Sequence, residues 1–96
     1  MSDLDLKRYV VTFRYQERGL GDLQALNSAM VNGGYSTTLH DADGHPHELG
    51  TNSFGIVSAL EEQALAEHAA GLAAVALDQQ PDADVTTLEA FLKAQA

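Results

Sequence analysis

The chain contains no cysteine and no tryptophan, and only two prolines. Without cysteine there is neither a disulfide framework nor a thiolate metal site, and nothing points to an oxidising compartment. Bases are scarce too: five lysines and arginines stand against fourteen acids, a formal net charge of -9. That balance opposes non-specific attraction to a polyanion. Long apolar runs are also missing. The longest, Ala69 to Leu77, falls far short of the ~20 residues a membrane span needs. The opening MSDLDLKRY carries acids where a secretory signal has an apolar run. The expectation is a soluble cytoplasmic protein without membrane association.

What is present suits one compact domain over residues 1–96, since a chain of 96 residues can build a single two-layer core. The AVILMFWYC set makes up 45% of it, but many of those residues are alanines, so the few large apolar side chains must be well placed. In LKRYVVTFRY, alternation puts Tyr9, Val11, Phe13 and Tyr15 on one face of a strand and Arg8, Val10, Thr12 and Arg14 on the other. GLGDLQALNSAMVNGG then switches to helical spacing, with Leu23, Leu26 and Met30 on one stripe and Gly33-Gly34 as the stop.

YSTTLHD returns to period two, with Tyr35, Thr37 and Leu39 inward and Ser36, Thr38 and His40 outward. After a turn-rich connection, SFGIVSA forms a third strand with Phe54 and Ile56 inward. Ser58 and Glu61 have capping-box spacing, which starts a second helix immediately after Ser58, with Leu60, Leu65, Ala69, Leu72, Val75 and Ala76 as its apolar positions. DQQPD breaks it, because proline does not continue a helix. ADVTT is a short fourth strand. Thr86 and Glu89 repeat the capping-box spacing ahead of a short C-terminal helix, which Leu88, Phe91 and Leu92 pin to the body.

The order βαββαβ gives an α+β fold, a ferredoxin-like two-layer sandwich with an antiparallel sheet in the order 4-1-3-2. Both main helices then cover one face and the other stays open. An open face or unprotected edge invites two-fold pairing, and Val10 and Val57 would suit a homodimer there.

These residues carry a resemblance. YVVTFRY at 9–15 and GYSTTLHDADGHPHELGTNSFGIVSAL at 34–60 resemble the GhoS antitoxins of type V toxin-antitoxin systems. The shared pattern is a Y-V-V-x-F-x-Y strand followed by D-x-x-G-x-P-x-x-L-x-x-N-S-F-x-I, carried here by Tyr9 to Tyr15 and by Asp41, Gly44, Pro46, Leu49, Asn52, Ser53, Phe54 and Ile56. The resemblance implies a ferredoxin-like fold related to the CRISPR-associated adaptation nucleases. It also implies an endoribonuclease that cleaves the messenger RNA of a partner membrane toxin. Two positions differ from the family: Arg14 stands where it has an aspartate, and Asn27 where it has an arginine in the first helix.

HDADGHPHEL at 40–49 packs three histidines and three acids into ten positions. Turn construction accounts for part of it: Gly44 permits a positive φ, Pro46 fixes the exit, and Asp41 or Asp43 bonds nearby N–H groups. A calcium loop counted from Asp41 fails, with Pro46 where glycine is required and Asn52 where glutamate is required. His45, His47 and Asp43 can share a face as a transition-metal set, but solvated histidines with neither metal nor cofactor are the expectation.

Metal-free cleavage of RNA needs a base for the ribose 2′-OH and donors for the charge that develops on phosphorus. His40 is the candidate catalytic group, with Arg8, Thr12, Arg14 and Arg18 as the RNA-binding set. Four of the five bases fall between Lys7 and Arg18, which makes one end of the sheet locally positive. The alternative is a non-catalytic acidic module, such as a phage-encoded anti-CRISPR-type inhibitor, that mimics nucleic acid and occupies the basic site of a nucleic-acid-binding protein.

Overall fold

A computed structural model describes residues 6–95; the segment MSDLD, used above against a secretory signal, lies outside them. Eight elements follow one another: β1 (Lys7–Arg14), α1 (Leu20–Asn32), β2 (Thr38–His40), β3 (Pro46–Glu48), β4 (Ser53–Ser58), α2 (Glu62–Leu77), β5 (Asp82–Thr87) and α3 (Leu88–Gln95). The fold is α+β with antiparallel sheets. Among the described residues, no helix is long and apolar enough to cross a membrane.

The main sheet has three strands in the order β4-β1-β5. β1 is central, with Val11 opposite both Phe54 and Val85. Its alternation falls as expected: Tyr9, Val11 and Phe13 join Phe54 in a core closed by Leu26 and Met30 of α1 and by Leu65, Ala69, Ala73 and Leu77 of α2. The α2 contacts recur every fourth residue, so one stripe of that helix faces the sheet.

The four-stranded sheet expected from the sequence is not formed among the described residues. The segment after α1 touches β4 through one bridge, Ser36 to Gly55, with N–H···O distances of 2.8 and 2.7 Å. Then it leaves. Ser36 Oγ donates to the Thr38 carbonyl (2.9 Å) and accepts from its N–H (3.3 Å), a local bend that breaks the period-two pattern. Tyr35 therefore points into the main core and Leu39 into a different one, while Thr37, expected inward, is exposed. β2 pairs instead with β3, inside the expected connecting loop, in the register Thr38–Glu48, Leu39–His47 and His40–Pro46.

The second face of the sheet is not open. Val10 is completely buried there under Leu39 and Leu49 of the hairpin and Leu88 of α3, with Phe91 and Leu92 packed alongside. Gly55, paired with Val10, makes that docking possible. A Cβ at Gly55 would lie 2.3 Å from Leu39 Cγ and 2.9 Å from Leu49 Cδ1, closer than carbon atoms can approach. Val10 is thus unavailable as a pairing surface, whereas Val57 remains 52% exposed.

Helix ends show which signals operated. α1 stops in a Schellman motif: the Tyr35 N–H reaches the Met30 carbonyl (2.9 Å), the Gly34 N–H reaches the Val31 carbonyl (3.1 Å), and Gly34 has φ 98°. Neither expected capping box forms. Ser58 is still a strand residue, paired with Lys7, and its Oγ accepts from Leu60 N–H at 3.0 Å. α2 accordingly begins at Glu62, and Leu60 and Val75 are exposed. α3 is capped by Thr87 rather than Thr86, with Oγ1 accepting from Ala90 N–H at 3.2 Å, because the helix starts at Leu88 and Thr87, the last residue of β5, directly precedes it.

Candidate functional site

Alternation places Arg8, Thr12 and Arg14 on one face of β1, as anticipated, but the buried Val10 plug lies between Arg8 and the other two. Each arginine faces a carboxylate. Arg8 Nη1 is 3.8 Å from Glu89 Oε2, and Arg14 pairs with Asp84, which sits opposite Thr12 on β5. Thr12 Oγ1 lies 3.0 Å from Ser53 Oγ. The pairs involving Arg8 and Arg14 are solvent-exposed, so each contributes only about 0–1 kcal/mol and yields readily to a stronger anion.

Arg18 stands apart. Its Nε and its backbone N–H both donate to Asp22 Oδ2 at 3.1 Å, and its Nη2 donates to the Leu77 carbonyl at the end of α2. It ties the β1–α1 connection to a helix C-terminus, where a cation also answers the helix dipole. Beside it, the Gln79 side chain accepts from Gln16 N–H (3.2 Å) and donates to Gln16 carbonyl (3.0 Å).

His40 is exposed at the end of β2, and its side chain makes no hydrogen bond to another described residue. Its neighbour Leu39 rests on Gly55, partner of Val10, so period-two alternation turns the His40 side chain to the outer side of the hairpin, away from the sheet face that carries Arg8, Thr12 and Arg14.

The turn between β2 and β3 is organised by one carboxylate. Asp41 Oδ1 accepts from the N–H groups of Asp43 and His45, both at 2.9 Å, and Oδ2 accepts from His47 Nε2 at 2.8 Å. The His47 hydrogen bond, followed by that from His45 N–H, holds the Asp41 carboxyl down at about 2. Gly44, with φ 85°, closes the turn by donating to the Asp41 carbonyl at 3.0 Å. Asp41, Asp43 and His45 could bring ligand atoms within 4.8 Å of one another, which is a different trio from the one the spacing suggested. His47 is engaged with Asp41 instead.

A second hydrogen-bonded imidazole lies on α2: His68 Nδ1 is 2.9 Å from Tyr35 Oη, the rings stacking at 5.9 Å. Burial raises the Tyr35 phenol above its ordinary value. Tyr9, Phe13, Tyr35 and Phe54 are buried and Tyr15 and Phe91 half-buried, so no fully exposed ring is available for base stacking among the described residues.

Sequence reasoning missed a cleft of about 560 Å³ between α1 and the β3–β4 turn. Asn27 lines it, as does Asn52, which is held at φ 66° with its Oδ1 accepting from Tyr15 Oη (2.9 Å) and its Nδ2 donating to Glu17 Oε2 (3.3 Å). Its walls come from segments separated by some twenty-five positions, so no local pattern announces it.

Comparison with known proteins gives this geometry a lineage. The family described as Endoribonuclease GhoS matches residues 1–94. The chain belongs to the GhoS family. This GhoS-family protein is also 37% identical over 89 residues to a protein of Escherichia coli strain K12 named Uncharacterized protein YdiZ, covering 93% of each chain. The YdiZ of Escherichia coli O157:H7 matches to the same extent. The family motif maps onto packing as well as chemistry in this GhoS-family protein: Leu49 and Phe54 are buried, Asp41 builds the turn, and Asn52 locks the loop.

Proposed function

We propose that this protein is a GhoS-type antitoxin, an endoribonuclease that cleaves the single-stranded messenger RNA of a membrane toxin in the cytoplasm. The observation that carries the reading is the family match over residues 1–94. The finer ferredoxin-like description belongs to the same reading, supported by the β5-β1-β4 neighbourhood and the Ser36–Gly55 bridge at its edge.

In the proposed reaction, RNA phosphates replace Glu89 and Asp84 on Arg8 and Arg14, with Thr12 as a hydroxyl donor beside them. Arg18 braces the adjoining connection and adds positive potential. His40 takes the proton of a ribose 2′-OH, and the 2′ oxygen bonds to the neighbouring phosphorus. The bond from phosphorus to the 5′ oxygen breaks, and that oxygen receives a proton from the imidazolium or from water. The products are a 2′,3′-cyclic phosphate and a 5′-hydroxyl end. No metal is required by this chemistry.

The test is cleavage of end-labelled single-stranded RNA with and without EDTA, followed by end-group analysis. Cyclic phosphate ends are expected in both conditions, with His40→Ala slower by about 10²-fold or more, the usual contribution of a general base. RNA left intact under every condition overturns the enzymatic reading. A His40→Ala protein of full activity removes His40 from the mechanism.

One observation favours a second reading: all three arginines already face carboxylates on a molecule of charge -9. Under that reading the protein is a non-catalytic acidic module for a nucleic-acid-binding protein. A stoichiometric protein partner, with RNA left uncut, would select it.

A further inference from the structure

We infer that the cleft between α1 and the β3–β4 turn receives one nucleobase of a single-stranded RNA, an inference that rests on the RNA-cleaving reading above. The cleft lies apart from the β1 arginines and His40; none of them lines it.

Its lining selects the chemistry of the ligand. No ionisable side chain lines it, although the chain carries fourteen acids. A phosphate would find no cation there, and a wholly apolar ligand would strand amides and hydroxyls without partners. Leu23 and Phe54 supply an apolar floor, and Gln24 and Asn27 of α1 supply amides above it. A nucleobase meets both requirements, being apolar on its faces and rich in donors and acceptors along its edge.

Availability points the same way. Gln24 and Asn27 are three residues apart on α1, hence on one side of the helix. Both are exposed, and neither side chain hydrogen-bonds to another described residue. Each amide presents an N–H donor next to a carbonyl acceptor, the combination that reads a base edge at two points. The facing wall is rigid, because Asn52 is held by Tyr15 and Glu17. A volume of about 560 Å³ holds a base and leaves room for its ribose, with the phosphates outside in solvent. The cleft also answers the burial of the aromatic side chains: a base that cannot stack on an exposed ring can still be captured in a slot.

The test uses the full chain and fluorescein-labelled single-stranded RNA octamers, base-bearing or with abasic residues, read by anisotropy across a salt series. Base-bearing RNA is expected to bind roughly tenfold more tightly than abasic RNA, and Asn27→Leu and Gln24→Leu each to remove most of that difference, as loss of a two-point base contact does. The salt slope stays unchanged in both variants, whereas Arg14→Ala lowers it by about one. In ¹H–¹⁵N spectra, the side-chain amides of Gln24 and Asn27 shift with RNA and not with inorganic phosphate. Abasic RNA bound as tightly as base-bearing RNA, while RNA is still cut, overturns the pocket and leaves the enzyme. No binding of any octamer and no cleavage overturns both.

Discussion

Gly55→Ala probes the second face of the sheet directly. On a free strand, replacing glycine by alanine stabilises by about 0.4–1 kcal/mol, through lost freedom of the unfolded chain. Gly55 has no positive φ, so nothing in its backbone forbids a side chain. The added methyl would instead sit 2.3 Å from Leu39 Cγ and 2.5 Å from Leu39 Cδ1. Because Cγ is a branch point rather than the tip of a side chain, rotation alone does not clear it. Overpacking of this kind costs roughly 1–3 kcal/mol. Should the hairpin lift away instead, Leu39, Leu49 and part of Val10 become wet, at up to about 1.5–3 kcal/mol for each side chain fully exposed. A net loss of about 2 kcal/mol therefore outweighs the entropic gain, and for a chain of this length it lowers Tm by roughly 8–16 °C. Urea and thermal unfolding followed by circular dichroism measure it, with Gly55→Ala/Leu39→Ala as the second arm. The double variant recovers space for the methyl and should be less destabilised than the two single changes added together. A Gly55→Ala protein as stable as the parent, or more so, would refute the packing described for this face.

Asp41 gives a pH prediction. Its carboxyl is held at about 2 in the folded protein, below the unfolded value, so its stabilisation is fully present above roughly pH 4 and is lost as pH falls through about 2. Hairpin resonances of residues 41–47 should move in that window, and Asp41→Asn should remove the transition; the same transition in the variant would contradict the assignment. Arg8→Ala and Arg14→Ala should each weaken RNA binding severalfold at low salt, measured by filter retention, and unchanged retention would exclude them as phosphate contacts. Arg18→Ala should lower stability by about 1 kcal/mol, through loss of its bonds to Leu77 and Asp22; an unchanged urea midpoint would show that this bracket carries no weight.

Helix one, its Gly33-Gly34 stop and the inward set Tyr9, Val11 and Phe13 were legible because each rests on local spacing that tertiary structure leaves intact. The covered second face was not. Alternation tells which residues share a side but not whether that side meets solvent, and Val10 between two arginines carries no mark of burial. The lid is built from a few apolar residues in two short elements, neither amphipathic over enough length to reveal its target. Tyr35 and Leu39 read as one face until the Ser36 bend, a side-chain hydrogen bond, turned them to different cores. The capping boxes at Ser58 and Thr86 matched in spacing, yet α2 begins at Glu62 and α3 at Leu88, so neither residue stands directly before its helix. Of the candidate site, the common side of Arg8, Thr12 and Arg14 followed from period two, whereas their carboxylate partners on α3 and β5 depend on distant chain.

The central place of β1 bears on how the chain is made. Its sheet neighbours are β4 and β5, and Val10 is roofed in part by Leu88. A ribosome delivers residue 88 several seconds after residue 10 at about 5–20 residues per second. Throughout that interval the earliest strand has an unzipped flank and a greasy underside. Nascent copies are consequently most prone to clump just before α3 emerges, and a message broken ahead of codon 82 would leave them stranded in that condition.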